Sequence, residues 1–125
     1  LTGRYPRTTR ARQNGQSIPP GEKLVTKILA DAGYIGGLAG KLHISACHPA
    51  ACPSSERRVD DGYATFHWSH DPGGRPTNEY HLWLRERGVK YGTTRFEDSK
   101  FVEIGMPREH HHTTWCARKT QAFLE

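Results

Sequence analysis

The run GYIGGLAGKLHIS at residues 33–45 limits the fold more tightly than any other part of the chain. Four of its first eight residues are glycine (Gly33, Gly36, Gly37, Gly40), and glycine weakens a helix or strand through the backbone freedom it loses on ordering. A chain keeps such a run where it turns tightly or where another backbone comes close. Before it, Leu24, Val25, Ile28, Leu29 and Ala32 recur at helical spacing over 21–32, which predicts a helix with one apolar face. Pro20 and Glu22 suit its first turn, and Gly33 its C-terminal cap. YIGGLA at 34–39 then reads as a short buried strand. Helix, glycine cap and strand make half of an α/β unit.

The polar pair that closes the run carries the chemistry. In open α/β sheets ligands bind beyond the carboxyl ends of the strands, which is where Lys41 and His43 follow. Gly40 lets the backbone come close, and Lys41 supplies a positive charge for an anionic oxygen. His43, two residues further along an extended chain, points to the same side and exchanges a proton near neutral pH.

The rest of the chain is loop-rich. Residues 1–20 read as an irregular basic arm, and 45–62 as a long loop. YATFHW at 63–68 alternates weakly as a strand, and DPGGRPTN at 71–78 is a loop. Asn78 caps a helix over 79–87 with Tyr80, Trp83 and Leu84 on one face and Gly88 at its end. KFVEI is a weak strand, and Thr113 or Thr114 caps a last helix. Hydrophobic residues make up only 34% of the 125, yet three Trp, five Tyr and four Phe exceed what a disordered chain carries. One domain with a modest core fits this length.

Charge is concentrated at one end. Residues 1–27 hold six bases and one acid, whereas the other 98 residues balance at twelve of each. Such an arm could meet a nucleic acid, a sulfated or phosphorylated ligand, or an acidic surface, or be a solvated loop. No apolar run approaches a membrane span, and LTGRYPRTTR has no signal-peptide core. Without an initiator Met, and with its last helical pattern running to the final residue, the chain is expected to be a piece of a longer protein. Three cysteines, Cys47, Cys52 and Cys116, exclude a complete disulfide framework within it. CHPAAC could close a small disulfide loop, or join His110, His111, His112 and Cys116 around zinc, although the spacing fits no standard zinc pattern; buried or loop thiols are the plainer reading.

LTGRYP at 1–6 and GYIGGLAGKLHIS at 33–45 together resemble the sulfatase family of the alkaline-phosphatase-like superfamily. That family places a Cys or Ser, converted to formylglycine, in a Cys/Ser-x-Pro-x-Arg motif running into Leu-Thr-Gly-Arg. Its second motif is Gly-Tyr, several small or apolar residues, then Gly-Lys and a nearby His. SIPPGEKLVTKILADAGY fits the stretch between the two. DDGYATFHW and HHTTWCARKTQAFLE are similar, more loosely, to the family's region after the Gly-Lys motif and to the helix leading toward its next strand. The resemblance implies an α/β fold with a mixed, mostly parallel sheet flanked by helices, of which residues 1–125 are a partial catalytic domain truncated at both ends. It implies a sulfuric ester hydrolase acting on a sulfated small molecule or glycan, with no nucleic-acid or membrane partner, in a periplasmic or secreted setting. The formylglycine would lie upstream of Leu1, and calcium would be held by ligands outside these residues, leaving no metal ligand among them. Lys41 would bind the sulfate oxygens, and His43 would hydrogen-bond the formylglycine hydroxyl and help release sulfate. Arg4 would support the nucleophile turn. Asn14, in RQNGQ, lies where some relatives place a substrate-facing asparagine, or forms a plain Asn-Gly turn. Asp60, Asp61 and Asp71 read as loop carboxylates. These 125 residues alone are expected to be poorly folded and inactive.

Two rival functions stand beside this one. Phosphonate or phosphodiester hydrolases of the same superfamily share much of the architecture, but GKLH favours sulfate. A small basic polyanion-binding module would interleave aromatics with its bases, and the arm offers only Tyr5.

Overall fold

A computed structural model describes residues 1–73 and 76–125. The order of elements is α1 (Pro6–Thr9), α2 (Val25–Asp31), β1 (Gly36–Gly40), β2 (Tyr63–Trp68), α3 (Glu79–Arg85), β3 (Thr94–Arg95), β4 (Glu103–Ile104), a 3-10 turn (Arg108–His110) and α4 (His112–Leu124). Helices and a small parallel sheet place the chain in the α/β class. β1 and β2 run parallel, from Gly36 opposite Tyr63 to Gly40 opposite Trp68, with a bulge between Gly36 and Gly37. Parallel strands need a long crossover; here it is the irregular segment 41–62 rather than a helix. β3 and β4 form a separate two-residue antiparallel pair. Among the described residues, no helix is long and apolar enough to cross a membrane.

The glycines of β1 serve helix packing. A Cβ on Gly37 would lie 2.7 Å from Thr65 Oγ1 and 3.0 Å from the Phe123 ring, and one on Gly40 3.4 Å from Cys116 Sγ. The strand is bare so that α4 can lie on it. The close approach expected at Gly40 is therefore made toward α4.

α3 follows from local chemistry. Asn78 Oδ1 accepts the His81 N–H at 2.9 Å, Glu79 and Arg85 complement the helix dipole at its two ends, and Tyr80, Trp83 and Leu84 are buried. They pack with Trp115 of α4 into one core cluster, bordered by Val89, Tyr91, Met106 and Cys116. Burial pushes the Tyr80 hydroxyl up to about 12, and that hydroxyl donates to His110 O at 2.9 Å. A second cluster joins Cys47, Cys52 and Trp68, with Leu38, Leu42 and Phe66 at its edge.

Several expectations need correction. The helix over 21–32 shortens to Val25–Asp31, because 21–24 lead in as turn and extended chain. Much of its apolar face is exposed, at Val25, Ile28 and Leu29, as are Tyr34 and Ile35, and Leu24 just before it is fully covered. The periodicity is real, and among the described residues that face is fully covered only at Leu24. The strand begins at Gly36 rather than Tyr34. The arm contains a one-turn helix, Pro6–Thr9, started by Pro6. The cap of α4 is His111, whose Nδ1 accepts the Thr113 N–H at 3.2 Å, rather than Thr113 or Thr114. The loop read at 71–78 includes Gly74 and Arg75, which lie outside the described residues.

Candidate functional site

A cleft of about 370 Å³ opens beside the carboxyl end of β1, with Leu1, Arg4, Arg12, Asn14, His43 and Ile44 among its walls. Three residues singled out from sequence, Arg4, Asn14 and His43, thus meet from separate stretches of chain. The arm reaches the loop after β1 through Ile18 N–H donating to Ile44 O at 2.9 Å, and it is tied to α2 by Val25 N–H donating to Leu1 O at 2.9 Å.

Each wall residue has its own local cause. Arg4 Nη1 donates to both carboxylate oxygens of Glu22, at 2.9 and 3.1 Å, so its charge is largely matched. Asn14 sits in a turn closed by Gln16 N–H to Gln13 O at 3.3 Å. Gly15 takes φ +87° there, as the third residue of a type II turn requires. The two readings of Asn14 are compatible, since it belongs to both the turn and the cleft. Arg12 has no mark in the sequence beyond its place in the basic arm. Its backbone N–H donates to Gln16 Oε1 at 2.7 Å, while its guanidinium has no ion-pair partner among the described residues. A guanidinium on the wall of a cleft is a ready anion contact.

His43 departs from the expected geometry. β1 ends at Gly40 and His43 has φ +62°, so strand alternation does not place it beside Lys41. Its ring meets the His70 ring edge-on, with centroids 4.5 Å apart. Lys41 is exposed and makes no hydrogen bond or ion pair among the described residues. It does not line the cleft.

The backbone after Leu42 is held by Glu56, which is 2% exposed. Its carboxylate accepts the N–H groups of His43 at 2.8 Å, Ile44 at 2.5 Å and Ser45 at 2.7 Å, the Ser45 hydroxyl at 2.9 Å and the Trp68 indole N–H at 3.1 Å. Sequence reasoning misses this residue, one acid in a polar loop.

The thiols form no disulfide. Cys52 Sγ donates to Ala46 O at 3.4 Å. Among the described residues, one group carries three potential metal-ligand atoms within 4.8 Å of one another: His43, Cys47 and His70. The cysteines and the histidine run 110–112 do not gather as a zinc site. Burial, then the nearby Glu56 carboxylate, push the Cys47 thiol up to about 12. Two imidazoles and a thiol are the wrong donors for calcium, which takes oxygen. The nearby acids are no better placed. Asp61, 1% exposed, is engaged by Arg58 through two bonds of 2.6 Å and by Tyr63 N–H at 3.0 Å. It lies in the loop before β2, as read from the sequence, and is buried there. Asp60 is solvent-exposed, 3.7 Å from Lys27. These residues do not fit a calcium site.

No protein-family model, curated protein or solved structure matches this chain.

Proposed function

We propose that this chain is part of a sulfuric ester hydrolase of the sulfatase type, with the cleft between the N-terminal arm and the loop after β1 as its sulfate pocket. The observation that carries the proposal is the convergence of Arg4, Asn14 and His43 on one cleft beside the carboxyl end of a parallel strand, where α/β sheets bind ligands. Leu1 lies on the same wall, so a nucleophile shortly upstream of it would start from the pocket. A formylglycine there would supply the attacking hydroxyl. The chain's own residues do the rest. Arg12 faces the sulfate oxygens and offsets the negative charge that grows as the ester bond breaks; Lys41, exposed and outside the cleft lining, is given the same role on the resemblance of GKLH to the sulfatase motif alone. His43 holds the nucleophile's hydroxyl and moves its proton. Arg4, braced by Glu22, supports the turn. No step is assigned to calcium, since the residues present do not hold it.

The exposed apolar set Val25, Ile28, Leu29, Tyr34 and Ile35 supports the reading that these 125 residues pack against further strands of a larger catalytic domain. The test is hydrolysis by the full gene product of a small aryl sulfate, a phosphodiester and a phosphonate ester. Preference for the sulfate supports the proposal, preference for either phosphorus ester assigns the rival hydrolase, and hydrolysis of none rejects both.

A further inference from the structure

We infer that Glu56 is the positioning residue for His43; the kinetic part of this inference rests on the sulfatase reading, and the structural part does not. Three successive backbone N–H groups, of His43, Ile44 and Ser45, converge on one buried carboxylate. Consecutive N–H groups that point inward around a left-handed residue form a concavity that binds anions. His43, at φ +62°, is that left-handed residue, and such a conformation persists in a non-glycine residue only when its surroundings hold it. Here the anion is built in. Glu56 reaches back 11 to 13 residues to fill the concavity.

The same carboxylate also accepts the Trp68 indole N–H. Trp68 is the last residue of β2 and pairs with Gly40 at the end of β1. Glu56 therefore clasps the exits of both parallel strands and sets the backbone from which the His43 ring enters the cleft. Without the carboxylate, three neighbouring N–H groups lose their acceptor where water has little access, and such groups must find other partners. The loop would then rearrange, and the imidazole with it. Charge-assisted bonds to a fixed carboxylate give the geometric control that proton transfer requires, since small misplacements of a catalytic group cost rate rather than binding.

The experiment compares Glu56→Gln, Glu56→Asp and Leu84→Ala in the full gene product. Leu84 is 1% exposed and sits in the other core cluster, so Leu84→Ala reports general destabilisation. Two readouts are taken: hydrogen exchange across residues 41–47, and kcat and KM for a small aryl sulfate. Glu56→Gln is expected to speed exchange of the 43–45 amides at least 10-fold while α3 stays protected. It is also expected to lower kcat at least 10-fold with KM within about twofold, with partial recovery in Glu56→Asp. Unchanged exchange at 43–45, or a kcat loss no larger than that of Leu84→Ala, overturns the inference. If Glu56→Gln does not fold, Glu56→Asp is held to the same two criteria. If the unmutated protein releases no sulfate, the sulfatase reading fails by itself and the exchange readout alone decides the role of Glu56.

Discussion

Replacing Asn78 with alanine tests the tie between α3 and the carboxyl end of β2. Asn78 is fully buried and uses both ends of its amide: Oδ1 accepts the His81 N–H at 2.9 Å, and Nδ2 donates to Ser69 Oγ at 3.2 Å. Loss of an N-cap costs about 0.5–2 kcal/mol. Loss of a buried hydrogen bond adds about 1 kcal/mol, and the small void left behind adds a fraction more. Together these give about 2–4 kcal/mol for Asn78→Ala, or roughly 30- to 1000-fold faster hydrogen exchange if the helix opens locally. Asn78→Asp keeps the cap acceptor and places negative charge at the helix N-terminus, so it is expected to recover the capping part alone. Ser69→Ala closes a double-mutant cycle in which the Asn78–Ser69 coupling is about 1 kcal/mol. Hydrogen exchange of the α3 amides in the full gene product reads all of these. Exchange in Asn78→Ala within threefold of the unmutated protein, or a coupling of zero, refutes the reasoning.

Three further outcomes are expected. Burial, followed by the nearby His111, holds the His112 imidazole below its ordinary value, and its Nε2 lies 2.9 Å from Ser69 Oγ. The unfolded chain therefore takes up the proton first, so this contribution is complete above about pH 6.5 and is lost as pH falls below it; thermal melts from pH 8 to 5 should show the loss, and His112→Phe should flatten it. Gly62→Ala should destabilise by about 2–4 kcal/mol, because at φ +77° a Cβ would stand 2.5 Å from Thr26 O and 2.6 Å from Lys27 Cα, backbone atoms that cannot turn aside; an unchanged urea midpoint contradicts this. Expressed alone, residues 1–125 should melt broadly and release no sulfate, since much of the α2 face is exposed, and a sharp two-state transition with dispersed amide signals would contradict the larger-domain reading.

What the sequence made legible was local. Asn78, Glu79, the Tyr80–Trp83–Leu84 spacing and Gly88 lie within a few turns of one another, and they announce α3 with its cap and buried face. β2 was visible from its alternation. The purpose of the β1 glycines was not, because Phe123 and Cys116, which require their bareness, lie at the far end of the chain. The α2 periodicity was legible, and spacing of that kind reports a face without saying what covers it. His111 does not announce itself as a cap because Ser, Thr, Asp and Asn are the usual choices, although an imidazole Nδ1 accepts the same bond. At the candidate site, Arg4, Asn14 and His43 could be named, but only folding shows them on one cleft. Glu56 carries no sequence mark that separates it from a solvated acid, and its burial depends on three N–H groups supplied by a loop 11 to 13 residues away.

The most direct measurement is sulfate release from a small aryl sulfate at saturating substrate by the full gene product, unmutated and as Lys41→Ala and His43→Ala. Loss of a charge-stabilising donor costs about 10²–10³ in turnover, and loss of a proton-transfer group about 10²–10⁴. Folded variants should therefore turn over at least 100-fold more slowly than the unmutated protein. Near-normal turnover by a folded His43→Ala would contradict the assignment of the cleft as the sulfate pocket.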